Sequence, residues 1–131
     1  MYVTLRFTRT KHLLCRARIN KINAILLIDT GASNSCIHSK LKEQFGLRSK
    51  GNPFDASGAS EGKMTATMTQ KCELYLGRHK IGKHAFVLLD LTHINQTLLS
   101  QKTNSIDGIL GADFLMKRKI IIDYGRRRLI L

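Results

Sequence analysis

An acidic triplet, Asp29-Thr30-Gly31, is the first feature of the sequence that could support chemistry. It follows the apolar run 26–28 and precedes the small residues Ala32 and Ser33. A carboxylate placed at the end of a buried strand can exchange protons with a bound reactant. The ordinary alternative is a turn, because Asp, Thr and Gly are all common at strand ends. The triplet alone does not decide between these two interpretations.

A second segment, Asp107-Gly108-Ile109-Leu110-Gly111-Ala112, repeats the pattern around the triplet. Aligning the two matches Gly31-Ala32 with Gly111-Ala112 and places Asp29 opposite Ile109. In both places a glycine-containing loop comes directly after an apolar strand, which indicates one architectural unit present twice. Only the first copy carries a carboxylate at the tip of its loop.

Other classes of catalytic site find no support in the residue spacing. The histidines show no H-E-x-x-H or comparable pattern, so we expect neither a metal nor a cofactor. The serines near the triplet lack a G-x-S-x-G elbow, which argues against a serine hydrolase. The cysteines match no zinc pattern and cannot all pair within one chain, so reduced, mostly buried thiols are expected. The residues concerned are His12, His38, His79, His84 and His93; Ser33, Ser35 and Ser39; and Cys15, Cys36 and Cys72.

The elements that must position the triplet are mainly strands of a single domain. The chain has 131 residues, enough for one ordinary domain that spans 1–131. Apolar and polar residues alternate with period two, and Gly77 predicts a hairpin turn at 76–79. Short helices are predicted over 40–45, with Ser39 as the N-cap and Gly46 just past the end, and over 112–117. The predicted strands cover residues 2–8, 13–19, 24–28, 63–76, 80–89, 106–110, 120–124 and 128–131.

Charge is the most unusual bulk property of the chain. It has 22 lysines and arginines against 9 acids, for a formal net charge of +13. Such an excess favours acidic partners such as nucleic acids. The basic residues are spread along the chain without a nucleic-acid-binding motif, so a solvated basic surface is the preferred interpretation and nucleic-acid binding the alternative. Residues 1–10 lack the apolar run of a signal peptide or membrane span, so a cytoplasmic location without membrane contact is expected.

Together the two segments resemble the signatures of the retropepsin-like aspartic proteases. One signature is an apolar run and then Asp-Thr-Gly-Ala-Ser, as in Leu26-Leu27-Ile28-Asp29-Thr30-Gly31-Ala32-Ser33. The other is an apolar run, Leu-Gly and a short helix, as in Ile106-Asp107-Gly108-Ile109-Leu110-Gly111-Ala112-Asp113-Phe114-Leu115. The resemblance implies an all-β class, mostly β with two short helices, and the closed β-barrel of the acid proteases with one lobe per chain. Because the sequence has one Asp-Thr-Gly where pepsin-like enzymes have two such loops, it is similar to the dimeric branch.

The resemblance also implies a role for each residue of the triplet. Peptide hydrolysis by this route needs two carboxyl groups in one site, because one takes a proton from water while the other protonates the scissile carbonyl. Asp29 would supply one carboxyl group, and an identical chain would supply the second. Thr30 would hydrogen-bond across the two loops, and Gly31 would allow a tight turn. The implied activity is that of a homodimeric aspartic endopeptidase, and the remaining carboxylates are given structural explanations: Asp107, Asp113 and Asp123.

The family's layout further indicates how a peptide or protein substrate would be bound. Residues of the two loops would flank the scissile bond, namely Ala32, Ile109, Leu110 and Gly111. A mobile hairpin that closes over the substrate is expected at residues 55–62. Composition alone also allows a disordered surface loop, but the position relative to the two signatures favours the hairpin. The substrate-contacting part of that hairpin would be Ser57, Gly58, Ala59 and Ser60.

The dimer seam of the family maps onto residues 2–7 and 129–131. Two non-enzymatic alternatives stay open at this stage. One is a catalytically weak retropepsin-like module for dimerisation or peptide binding. The other is a basic nucleic-acid-binding domain.

Overall fold

The protein folds into a mostly β structure with two helices. The computed structural model describes residues 1–56 and 64–131. No helix in these two ranges is long and apolar enough to cross a bilayer. The strands are β1 (Tyr2–Phe7), β2 (Leu13–Ile19), β3 (Ile22–Ile28), β4 (Cys36–His38), β5 (Ser49–Asp55), β6 (Thr65–Thr69), β7 (Cys72–Leu76), β8 (His79–His84), β9 (Val87–Leu89), β10 (Gly108–Leu110), β11 (Ile121–Asp123) and β12 (Arg128–Ile130). The helices are α1 (Thr92–Ser100) and α2 (Ala112–Lys117), and a 3-10 turn covers Ser39–Leu41.

The strands pair in one forked sheet. Its main path runs β11-β12-β1-β2-β3-β10-β4-β9-β6-β5, and the hairpin of β7 and β8 branches from β2. Residues 13–15 of β2 pair with β1, whereas residues 17–19 pair with β7. Within the described ranges no pairing joins β11 to β5, so the sheet is open. The expected closed barrel is therefore corrected to an open sheet that forks at β2, where one edge is divided between β1 and β7.

Several elements follow the sequence pattern closely. The predicted strand at 13–19 is β2, and the predicted helix at 112–117 is α2. Gly77 has φ +55° in the turn between β7 and β8, a left-handed conformation that glycine adopts without strain. The hairpin predicted at that position is therefore confirmed.

Other elements differ from the prediction. The helix expected at 40–45 is a 3-10 turn followed by further turns, because Lys42 N donates to Ser39 O. Gly46 has a left-handed conformation, which ends the series of turns. The long strands expected at 63–76 and 80–89 are each two strands. The sequence analysis also missed α1, β4 and β5. β5 is exposed along its whole length, and α1 buries little besides Leu98, so neither has a clear apolar period.

The core lies on both sides of the central strands. Along β2, Cys15 and Ala17 point into the larger apolar cluster, whereas Leu14 joins a second cluster on the opposite side. The second cluster also contains Leu27 and Ile109, which are neighbours in the pairing of β3 with β10. The strands that carry the two signature loops are therefore fixed between two layers of buried side chains.

Two glycines let β10 pass between its neighbours. This strand runs parallel to β3 and antiparallel to β4. A Cβ atom on Gly108 would lie 2.5 Å from Cys36 O, and one on Gly111 would lie 2.6 Å from Ala32 O. Both clashes involve backbone atoms, which cannot rotate away. A side chain at Gly108 would push β10 away from β4, and one at Gly111 would push the two signature segments apart.

We expect Gly108→Ala to destabilise the fold. The added methyl group overlaps the carbonyl of Cys36, and overpacking of this kind costs about 1–3 kcal/mol of unfolding free energy. Urea unfolding of the variant and the wild type measures the loss. Gly125→Ala is the matched control, because its Cβ would meet nothing closer than Asp123 Oδ1 at 3.5 Å. Equal stability of Gly108→Ala and the wild type would contradict the close-approach argument.

Candidate active site

The triplet lies in a tight turn directly after β3. Gly31 N donates a hydrogen bond of 2.9 Å to Asp29 Oδ1, and Ala32 N donates one of 3.2 Å to Asp29 O. The Asp29 side chain is half-buried, whereas Thr30 and Gly31 are exposed. The loop thus orients one carboxylate oxygen with its own backbone and leaves the carboxyl group within reach of a reactant.

Backbone hydrogen bonds connect the second signature segment to this loop. Asp29 N donates to Leu110 O over 3.0 Å, and Ala112 N donates to Ala32 O over 2.7 Å. The side chains of Ile109 and Leu110 are buried in the core, and Gly111 is buried too. In the structure, Leu110 therefore contacts the loop through its backbone carbonyl, which positions Asp29. Ala32 remains half-buried at the edge of the loop.

A partly buried polar link joins Ser35, just after the loop, to the second signature segment, and the sequence analysis missed it. Asp113 Oδ1 accepts hydrogen bonds from Ser35 N at 2.9 Å and from Ser35 Oγ at 2.7 Å. Ser35 Oγ in turn accepts one from Gly111 N at 2.9 Å. Burial alone would raise the pKa of Asp113, but the hydrogen bonds from Ser35 and from Phe114 N hold it below its ordinary value. No local pattern could reveal this link, since its partners are far apart in the sequence.

His84 extends the link into the core. Its Nε2 lies 3.4 Å from Asp113 Oδ2, and its ring packs edge-on against Phe86 and Phe114. The 3.4 Å separation is long for a hydrogen bond, and Nε2 is buried without another partner among the described residues. Burial lowers the pKa of His84 below its ordinary value, although the neighbouring Asp113 carboxylate opposes that shift. The folded protein therefore favours the neutral ring.

The other groups named from the sequence have structural partners or are unreactive. Asp107 Oδ2 accepts a hydrogen bond from Ile25 N, and Asp123 Oδ1 accepts one from Arg126 N. All three cysteines are buried and unpaired, as the sequence predicted. Burial raises the pKa of Cys15 and Cys36 to about 12 and that of Cys72 to about 11, so the thiols stay protonated at neutral pH.

Two antiparallel strands, β5 and β6, flank the segment where the closing hairpin is expected. β5 pairs with β6 up to Asp55 and Thr65, and Ala56 N donates to Met64 O over 2.8 Å. These residues form the two arms of the hairpin. The residues proposed for its substrate-contacting part lie outside the described ranges: Ser57, Gly58, Ala59 and Ser60.

An apolar surface lies beside the exposed side of the triplet. Thr30, Met116 and Ile122 line one cavity of about 350 Å³ there. Met116 and Ile121 are large apolar side chains that are 76% and 58% exposed. β1 and β12 pair with each other inside one chain, and β11 is the outer strand at this end of the sheet.

Comparison with known proteins agrees with this geometry. A family model described as aspartyl protease matches residues 15–114, and no curated protein gives a significant match. The chain is similar to the retroviral protease-like domain of Ddi1 from Leishmania major, at 19% identity over 90% of this chain and 86% of that one, with a TM-score of 0.65. It is also similar to the EIAV protease complexed with the inhibitor HBY-793, at 19% identity over 87% and 94%, with a TM-score of 0.58. A retropepsin-like aspartic protease from Rickettsia conorii matches at 16% identity over 100% and 98%, with a TM-score of 0.65. These likenesses confirm the predicted retropepsin-like fold.

We expect the stability of the protein to fall as the pH drops below the ordinary pKa of histidine. In that range the unfolded chain takes up a proton at His84 that the folded state resists, so unfolding is favoured. Asp113 adds a further loss only below the ordinary pKa of a carboxyl group, because its own pKa is lowered by folding. Urea unfolding at about pH 7.5 and about pH 5.5 measures the difference.

Substitution separates His84 from the other histidines. His84→Gln removes the titrating ring, so we expect a smaller loss of stability between the two pH values than in the wild type. His93→Gln, on the exposed surface of α1, is the matched control and should keep the wild-type loss. An unchanged pH dependence in His84→Gln would show that another group is responsible.

Proposed function

The chain belongs to the aspartyl protease family, and on that basis we propose that it is an aspartic endopeptidase in which two identical chains each contribute one Asp29 carboxylate. The observation that carries the proposal is the position of Asp29. Its carboxylate lies at an accessible loop tip and accepts a hydrogen bond from Gly31 N. The backbone of Asp29 is held by a hydrogen bond to Leu110 O of the second signature segment. One chain has a single Asp-Thr-Gly, so a second copy must supply the other carboxyl group.

Two such carboxyl groups can hydrolyse a peptide bond without a covalent intermediate. The ionised carboxylate takes a proton from a water molecule while the protonated one donates its proton to the scissile carbonyl oxygen. Two carboxyl groups held close together cannot both ionise easily, so the pair shares one proton, as in the dyads of aspartic proteases. In this proposal Thr30 joins the two loops across the dimer axis, and no metal or cofactor takes part.

The apolar surface beside the triplet supports a dimer in this arrangement. β11 has β12 on one side and no strand neighbour on the other within the described ranges, so its free backbone groups can pair with a second chain. Ile121 on this strand and Met116 on α2 would be covered by the same contact. Thr30 lines the adjoining cavity, so association here would bring the two triplets near each other.

The substrate we propose is an extended peptide. β5 is the outer strand at its end of the sheet, and a peptide can bind to such an edge through backbone hydrogen bonds. Ala32 would lie next to the scissile bond, and the hairpin segment with Ser57, Gly58, Ala59 and Ser60 would close over it. The unpaired cysteines fit a reducing compartment, so the proposed location is the cytoplasm.

We expect Asp29→Asn to abolish proteolysis. The amide can neither take a proton from the water nor donate one to the scissile carbonyl. Loss of general acid–base catalysis lowers kcat/KM by about 10²–10⁴-fold. Cleavage of an unfolded protein substrate, from mildly acidic to neutral pH and in high salt, measures the effect. Asp90→Asn is the matched control: Asp90 Oδ1 accepts a hydrogen bond from Thr92 N at the start of α1, and asparagine keeps an acceptor there.

Two outcomes of that experiment contradict different parts of the proposal. Equal cleavage by the wild type and Asp29→Asn would remove Asp29 from the mechanism. A wild type that binds the peptide but never cleaves it would instead be a peptide-binding module of this fold.

We expect dimerisation to be weak at low salt and to strengthen as salt is added. Each chain carries a formal charge of +13, so the chains repel each other until counterions screen them. Sedimentation at low and high ionic strength measures the dimer fraction. Ile121→Lys should lower both the dimer fraction and the cleavage rate at high salt, because it places a charge at the centre of the proposed contact.

The control for Ile121→Lys is Leu99→Lys. Leu99 on α1 is 59% exposed, against 58% for Ile121, so the two substitutions add the same charge at equally accessible apolar positions. Leu99→Lys should leave both measurements near the wild-type values. Equal loss in both variants would trace the effect to bulk charge rather than to β11.

A further inference from the structure

The fold gathers arginines that are far apart in the sequence onto one outer surface. On β1 and β2, Arg6, Arg16 and Arg18 alternate with buried residues and therefore point away from the core. Arg78 lies in the turn between β7 and β8, and Arg127 directly precedes β12, which pairs with β1. We call these five residues the arginine face.

The arginine face is concave rather than flat. Three adjoining depressions of about 510, 440 and 500 Å³ lie along it, and Arg16 lines all three. Arg6 and Arg127 line the first, Arg18 the second and Arg78 the third. A ligand that follows these depressions would therefore meet a guanidinium group in each of them.

The positive charge of this face is not neutralised by the described part of the chain. The described residues form two ion pairs, His38–Asp90 and His84–Asp113, and neither involves an arginine. Among the described residues that line the depressions, Asp107 is the one acid, and its Oδ2 already accepts a hydrogen bond from Ile25 N. The guanidinium groups of this face are therefore available to an external anion.

Aromatic rings hold some of these guanidinium groups in place. Arg18 stacks over Tyr75 at 4.5 Å, and Arg127 stacks over Phe7 at 5.0 Å. At the edge of the third depression, Arg128 stacks over Tyr2 at 4.0 Å, and Tyr2 is 45% exposed. A stacked guanidinium is already ordered and keeps its N–H edge for bidentate contacts with phosphate. Exposed rings and arginine planes are also surfaces on which bases stack.

We propose that the arginine face binds single-stranded nucleic acid. The guanidinium groups contact phosphates, and unstacked bases lie on the aromatic rims that Phe7 gives to the first depression and Tyr2 to the third. A duplex is a poorer fit, because its bases are already stacked and the face presents no helix to enter a groove. An acidic peptide would satisfy the charges but would leave the aromatic rims unused. The face shares no residue with the proposed catalytic loops, so binding here and proteolysis are separate properties.

Fluorescence anisotropy with labelled single strands of about 15 nucleotides, one of uridine and one of deoxythymidine, tests the proposal. The wild type should bind at low salt, with an affinity that falls steeply as salt rises. The triple variant Arg6→Gln/Arg16→Gln/Arg78→Gln should bind at least about tenfold more weakly and with a shallower salt dependence. These three arginines are exposed and make none of the ring contacts described above, so the fold should be retained, as thermal unfolding would verify. A preference for one strand over the other would identify RNA or DNA as the partner.

The matched control removes three charges from other surfaces. Lys40→Gln/Lys50→Gln/Lys102→Gln replaces exposed lysines near β4, on β5 and after α1, and should weaken binding by less than about threefold. Equal weakening by the two variants would overturn the proposal, because bulk charge would then explain the affinity. Absence of binding by the wild type at low salt would overturn it as well. Equally effective competition by a poly-glutamate peptide of the same length would replace the nucleic acid with an acidic protein partner.

Discussion

The geometry of the candidate site depends on a backbone contact that leaves no room for side chains. β10 lies between β3 and β4 because Gly108 and Gly111 have no Cβ atom to meet the carbonyls of Cys36 and Ala32. That close approach allows Ala112 N to donate a hydrogen bond to Ala32 O, and Asp29 N to donate one to Leu110 O. The loop that carries the carboxylate is thus held by hydrogen bonds from a segment far away in sequence. Both segments are anchored between two apolar clusters, so the carboxylate is oriented before any ligand arrives.

The parts of this arrangement that were predictable are those with local signals. The alternation in β2 and the Gly-Ala start of α2 fix their boundaries, and the repeated strand and loop pattern indicated where the second segment begins. The link from Ser35 through Asp113 to His84 was not predictable, because each residue looks unremarkable in its own neighbourhood and the contacts form only in the folded chain. The same holds for β5, where Gly51 and Pro53 interrupt a fully exposed strand and only its pairing with β6 marks it as one.

Charge shows the same contrast between sequence and structure. Along the chain the basic residues look evenly distributed, which favoured a merely solvated surface. In the fold, the strand alternation and two turns bring arginines from distant segments to one face, while the acids serve mainly as hydrogen-bond acceptors for backbone groups, as Asp107 and Asp113 do. Net charge is therefore a weak guide by itself, and the side of the sheet on which each charge lies is the informative quantity.

The residues around β11 show how an outer strand can be protected against aggregation. A short outer strand that carries isoleucines is a template on which further strands could add without limit, as in fibre growth. Here Lys117, Lys119 and Arg126 lie on both sides of it in the chain, and such flanking charges act as gatekeepers against aggregation. Replacing these residues with neutral ones would remove that protection. The crowded positive charge around β11 therefore limits which neighbours it accepts.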